Sequence, residues 1–180
     1  MANYKYPIGF TYFSKPKFRI DQQVKSWFPV FREFGASTII FKTGFNRAIP
    51  EDIFLCAHEN ELIPMIQFTH ELPLARNFND AAFLLDAYVK WGVQHFILWD
   101  KPNSKQAWPV DGWHYENLVD HFLDRFIPLA NYIVQIGATP ILSPLQPGGD
   151  YWDTAFLELA LKGLKRRRLD DILERLILSS

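Results

Sequence analysis

Six short strand-like runs recur along this chain, each separated from the next by a stretch with helical periodicity. The runs are Ile8 to Phe13, Ser37 to Lys42, Ile63 to Phe68, His95 to Trp99, Thr139 to Leu145 and Leu176 to Ser179. Their starts lie roughly 26 to 44 residues apart, enough for a strand, a loop, a crossover helix and a return loop. Antiparallel neighbours need only a tight turn between them, so this rhythm has no all-β reading.

The intervening stretches carry the matching apolar faces. Gln22 to Phe34 sets Val24, Trp27, Phe28, Phe31 and Phe34 at helical spacing and ends at Gly35, with Pro29 implying a kink. Pro50 opens a second helix with Ile53, Phe54 and Ala57 on one face. Asn79 or Asp80 is expected to cap a third, whose buried stripe would be Phe83, Leu84, Ala87, Tyr88 and Trp91 before Gly92 stops it. Tyr115 to Gln135 forms the fourth, through Leu118, Val119, Phe122, Phe126, Leu129 and Ile133, with a kink at Pro128 and an end at Gly137. A fifth is expected to be N-capped by Asp150 or Asp153 and to run through Phe156, Leu157 and Ala160 to Gly163. A basic stretch, Lys165 to Arg168, and a short helix lead into the last strand.

Doubly wound sheets and closed barrels both use this alternation. No G-x-G-x-x-G or G-x-x-x-x-G-K follows the first run, and Phe10, Tyr12 and Phe13 stand where a nucleotide-binding turn needs small residues. The reading is therefore α/β, an incomplete (β/α)8 TIM barrel of about five to six βα units, with residues 1–180 forming the N-terminal part of a single barrel domain. A complete barrel takes about 250 residues. An open parallel sheet leaves an unpaired edge and an apolar inner face, so a missing C-terminal half or a homo-oligomer is expected to complete it.

Composition narrows the function. Apolar residues at 48% and sixteen Phe with seven Tyr and six Trp exclude a disordered chain. Nineteen Lys and Arg against twenty Asp and Glu give no global field for nucleic acid or an anionic membrane, and Lys165 to Arg168 reads as a solvated face. The first ten residues lack the layout of a signal peptide, and Phe126 to Leu145 is too interrupted for a bilayer span. The lone Cys56 allows no internal disulfide and no N-x-[ST] sequon occurs, so the expected location is the cytoplasm. His114 and His121 lack a third ligand at suitable spacing, so no metal and no cofactor is expected.

In a barrel, ligands meet the loops after the C-terminal ends of the strands. Those positions hold Tyr12 and Phe13, Lys42 to Arg47, Thr69 to Glu71, Trp99 to Asn103, Gln146 to Asp150, and Ser179 and Ser180. Aromatic and amide side chains dominate, and flat sugar faces stack on rings while hydroxyls pair with Asn, Gln, Asp and Arg. The expected ligand is a carbohydrate, met by Tyr12, Lys42, Asn46, Trp99, Asn103 and Trp108.

The fourth run makes the expectation more specific. Phe96-Ile-Leu-Trp99-Asp100-Lys101-Pro102-Asn103 resembles the W-N-E-P-N segment that ends strand four in clan A glycoside hydrolases, the group of the family 5 cellulases and family 39 enzymes. Pro140 to Phe156 resembles the strand-five loop of such barrels. The resemblance implies a glycoside hydrolase-like barrel with Asp100 and Lys101 at the positions of proton-transfer chemistry. In that clan the Glu of the segment is the general acid and base, the preceding Asn bonds the sugar 2-hydroxyl, and a nucleophilic Glu ends strand seven. Here Lys101 stands in place of the Glu and Asp100 in place of the Asn. A retaining glycosidase needs a carboxyl group that gives a proton and later takes one back, for which an ammonium is a poor substitute. Asp100 is not expected to replace it, since adjacent strand residues point to opposite faces. A catalytically degenerate protein, a non-catalytic carbohydrate-binding or scaffolding barrel, and a different barrel enzyme with its active residues on later strands all remain open. Within the segment, an Asp100–Lys101 ion pair closing the loop is the expected structural arrangement. Glu71 and His70 share the strand-three loop as an exposed pair of polar groups.

Overall fold

A computed structural model of the chain describes residues 8–13, 20–69, 78–109, 112–114 and 116–179, with the backbone alone at 8, 12–13 and 20–24. Six parallel strands form one curled sheet in sequential order: β1 (Ile8–Phe13), β2 (Ala36–Thr43), β3 (Ile63–Phe68), β4 (His95–Leu98), β5 (Thr139–Leu142) and β6 (Ile177–Leu178). This order decides between the two architectures left open by the alternation. A doubly wound sheet reverses direction at a switch point, whereas strands laid down one after another put every right-handed crossover on the same face. The result is an α/β half-barrel with its helices outside.

Between the strands run α1 (Ile20–Glu33), α2 (Glu51–Glu59), α3 (Phe78–Lys90), α4 (Leu118–Gln135), α5 (Asp153–Arg166) and α6 (Asp170–Arg175). Both α1 and α4 continue through their internal prolines, Pro29 and Pro128. Side chains alternate across a strand, so the register separates two rows. Phe41, Ile66, Phe96 and Pro140 are register partners turned towards the helices, where Phe41 meets Phe28 and Phe54 edge-on and Phe54 meets Tyr88. Lys42, Gln67, Ile97, Ile141 and Ile177 form the adjoining row on the inner face. Tyr88 is fully buried, and its hydroxyl accepts a hydrogen bond from Ile49 N at 3.0 Å, tying the β2–α2 loop to α3. Burial pushes that phenol up to about 12.

Neither Asn79 nor Asp80 caps α3, which already contains both from Phe78 on, and Trp27 and Phe34, expected on the apolar face of α1, are exposed. Three further local expectations fail for identifiable reasons. Phe83 is 78% exposed, because the buried stripe of α3 is Ala81, Leu84, Leu85 and Tyr88, rotated by part of a turn from the one expected. Gly163 does not end α5; it lies buried within the helix, and a Cβ there would stand 2.4 Å from Leu123 Cδ1, so it is small to let α4 approach. Neither Asp150 nor Asp153 caps α5, whose N-cap is Trp152 without a side-chain bond. The basic stretch after Gly163 bonds back to α4: Arg166 and Arg167 pair with Asp120 at 2.6 and 3.0 Å, and Arg167 with Asp124 at 2.6 Å. At the far flank, Ile177 and Leu178 of the two-residue β6 are about half exposed. Among the described residues, no helix is long and apolar enough to cross a membrane.

Candidate functional site at the strand C-termini

The centre of the rim is built from two neighbouring strands and one loop. Lys42 and Gln67 are register partners on β2 and β3, one residue from the strand ends, and both project to the inner face. Regular alternation after β4 would send Trp99 inward and Asp100 outward. Trp99 instead adopts a φ of +88°, a left-handed conformation that bulky residues avoid, and Lys101 follows at +51°. That reversal exchanges the two faces. The Trp99 side chain enters the core at 1% exposure, against Phe122 of α4 and Trp108, while Asp100 swings over the inner face. There its carboxylate accepts from Lys42 Nζ at 3.1 Å and from Gln67 Nε2 at 3.2 Å. Gln67 Nε2 also reaches Trp99 O at 3.4 Å, so one buried amide holds both the turn and the acid it presents.

The ion pair expected within Asp100–Lys101 is thus made by a different lysine. Lys101 is exposed, and among the described residues it has no salt-bridge partner. Strand alternation does not govern Asp100, since β4 ends at Leu98 and the segment that follows is a turn.

Behind the turn, aromatic packing fixes its direction. Trp99 and Trp108 rings lie 5.0 Å apart, Trp108 Nε1 donates to Pro102 O at 2.7 Å, and the Arg125 guanidinium of α4 sits 5.9 and 5.5 Å from the two rings. Such stacking of a cation on desolvated rings contributes on the order of 1 kcal/mol. Trp108, at 6% exposure, and Asn103, with none, are interior parts of the loop. Asn46 lies exposed on the loop after β2, which Thr43 Oγ1 closes by donating to Arg47 O at 3.1 Å, and Phe45 stacks on Phe68 beside it. The Tyr12 side chain, His70 and Glu71 lie outside the described residues. The structure therefore brings Lys42 and Asp100 together, leaves Asn46 and Lys101 exposed nearby, and puts Trp99, Asn103 and Trp108 inside. Among the described residues no three His, Cys, Asp or Glu side chains converge in a way that could hold a metal ion.

No family model matches the chain, and no curated protein does. Solved structures do. A variant of an O-GlcNAc hydrolase from Thermobaculum terrenum superposes with a TM-score of 0.50 at 12% identity, over 77% of this chain and 34% of that one. The likeness is one of fold. An AHE enzyme from Alicyclobacillus herbarius aligns at a TM-score of 0.39 and 12% identity, over 68% of this chain and 37% of that one. The chain thus spans about a third of the length of these solved structures.

Gln67 is the rim residue that sequence reasoning passed over. Its signal was present, because it is the one polar residue in Ile63-Pro-Met-Ile-Gln-Phe68 and stands next to the strand end.

Proposed function

We propose that this chain is part of a glycoside hydrolase-like barrel protein and that the Lys42–Gln67–Asp100 cluster is where it binds a carbohydrate. One observation carries the reading: a carboxylate held by an ammonium and an amide at the mouth of three adjacent parallel strands, partly open to solvent. A fixed acceptor flanked by donors matches the alternating donors and acceptors of sugar hydroxyls. The fold shared with an O-GlcNAc hydrolase and the W-N-E-P-N-like segment support the same class, and make N-acetylglucosamine and its O-glycosides the first ligands to try. Removing one charged partner costs about 1.5–3 kcal/mol, or roughly ten- to hundredfold in affinity. Lys42→Met and Asp100→Asn are each expected to weaken binding by that factor in calorimetric titrations. A glycan array without any ligand, or unchanged affinity in both variants, would refute the assignment.

Binding without turnover is the form the geometry favours. Asp100 is engaged by Lys42, and Lys101, at the position of the clan's acid/base Glu, offers donors but no acceptor as an ammonium. Turnover of aryl glycosides that is lost on Asp100→Asn or Lys101→Ala would establish the catalytic reading instead.

A further inference from the structure

Asn103 is fully buried, yet it lies three residues after Asp100 on a loop that must hold two strained residues. Its side chain is spent entirely on the neighbouring β5–α5 loop. Nδ2 donates to Gln146 O at 2.8 Å and Tyr151 O at 3.1 Å, and Oδ1 accepts from Gln146 N at 2.8 Å. The Asn103 carbonyl accepts from Tyr151 N at 2.9 Å. One residue thus imitates a strand pairing between two loops that have none. The contact is close enough to dictate its partner's identity, for a Cβ on Gly149 would stand 2.6 Å from Asn103 Nδ2 and 3.1 Å from Asn103 O. Other bonds run parallel to the clasp: Lys101 N donates to Pro144 O at 3.1 Å, Lys105 N to Asp150 Oδ2 at 2.8 Å, and Ser143 Oγ to Leu98 O. The first of these fixes the residue directly after Asp100.

We propose that Asn103 is a positioning residue: by welding the β4–α4 loop to the β5–α5 loop it holds the Trp99–Lys101 reversal, and so aims Asp100 at Lys42 and Gln67 without touching a ligand. This rests on reading the Asp100 cluster as the site, but its test contains no sugar. In the parent chain, Lys42→Met shifts the Asp100 side-chain carboxyl resonance, observed by carbon NMR. In an Asn103→Ala background that response is lost, because Asp100 no longer faces Lys42. Gly149→Ala wedges the clasp apart with a single methyl and is expected to reduce the response as well, which decides the matter if Asn103→Ala does not fold. The control is Leu164→Ala, a buried change in the last turn of α5, at the opposite end of that helix from the β5–α5 loop; it lowers the melting temperature and keeps the full response. A response to Lys42→Met that survives in the clasp variants, or one lost equally in Leu164→Ala, overturns the proposal. Failure of sugar binding with the NMR pattern intact would reject the carbohydrate assignment alone.

Discussion

The Lys42–Asp100 pair makes the sharpest quantitative test of the rim. At 3.1 Å and an effective dielectric near 20, the Coulomb attraction is about 5 kcal/mol. Side-chain exposures of 17% for Lys42 and 25% for Asp100 place both charges mostly out of water. Desolvation then offsets several kcal/mol, leaving a net coupling of about 1–2 kcal/mol, above the zero to one of a surface pair. Lys42 makes a further contact besides Asp100, so the single Lys42→Met variant overstates the pair. A double-mutant cycle with Asp100→Asn isolates it. Urea denaturation of the parent, both single variants and the double variant should give this coupling through shifts in midpoint at constant m. Raising salt from about 0.05 to 0.5 M should reduce the coupling by less than about half, since partly buried charges are poorly screened. A coupling within about 0.5 kcal/mol of zero, the scatter of independent sites, would show that Lys42 does not hold Asp100.

Two further outcomes follow from the framework around the rim. His95 lies on the inner face beside Met65 and Thr139, its Nδ1 is buried without a partner, and burial lowers its pKa from the ordinary 6.5. The folded state therefore binds fewer protons there than the unfolded chain, and stability falls as pH drops below about 6.5 towards the lowered value. His95→Leu should gain on the parent in melting temperature as pH is lowered from about 7.5 to 5, and a gap that stays constant over that range would contradict this. Gly92 and Gly137 follow α3 and α4 at φ of +88° and +83°, but a Cβ would meet His58 Nε2 at 2.5 Å in the first case and nothing within 4 Å in the second. Alanine at either costs roughly 1–2 kcal/mol for the left-handed backbone. The contact is with the tip of an exposed side chain that can swing aside, so Gly92→Ala and Gly137→Ala should lose the same stability in urea titrations to within about 0.5 kcal/mol; a clearly larger loss at Gly92, removed by His58→Ala, would show that the His58 ring is held in place.

Much of the fold was legible because it is written in local patterns. The β1 and β3 boundaries, the helix opening after Pro50 and the buried face of α4 follow from periodicity, and periodicity follows from the geometry of single elements. The errors arise where two elements meet. Phe83 has the spacing of a buried residue, yet the sheet selects a face of α3 slightly rotated from it. Gly163 looks like a helix stop, but the approach of Leu123 explains it. Asp150 looks like a cap for α5, and instead accepts from Lys105 N on the neighbouring loop.

The site divides in the same way. From the sequence alone came the alternation that forces a parallel α/β sheet, the rim as the place to look, and Lys42 and Asp100 as residues on it. Tertiary structure decided the rest: the sequential strand order, the pairing of Asp100 with Lys42 across 58 positions rather than with Lys101 beside it, and the burial of Trp99, Trp108 and Asn103. The physical reason is the backbone reversal at Trp99. No propensity favours a tryptophan with positive φ, so only packing against Phe122 and Trp108, with the loop held at Asn103, can impose it.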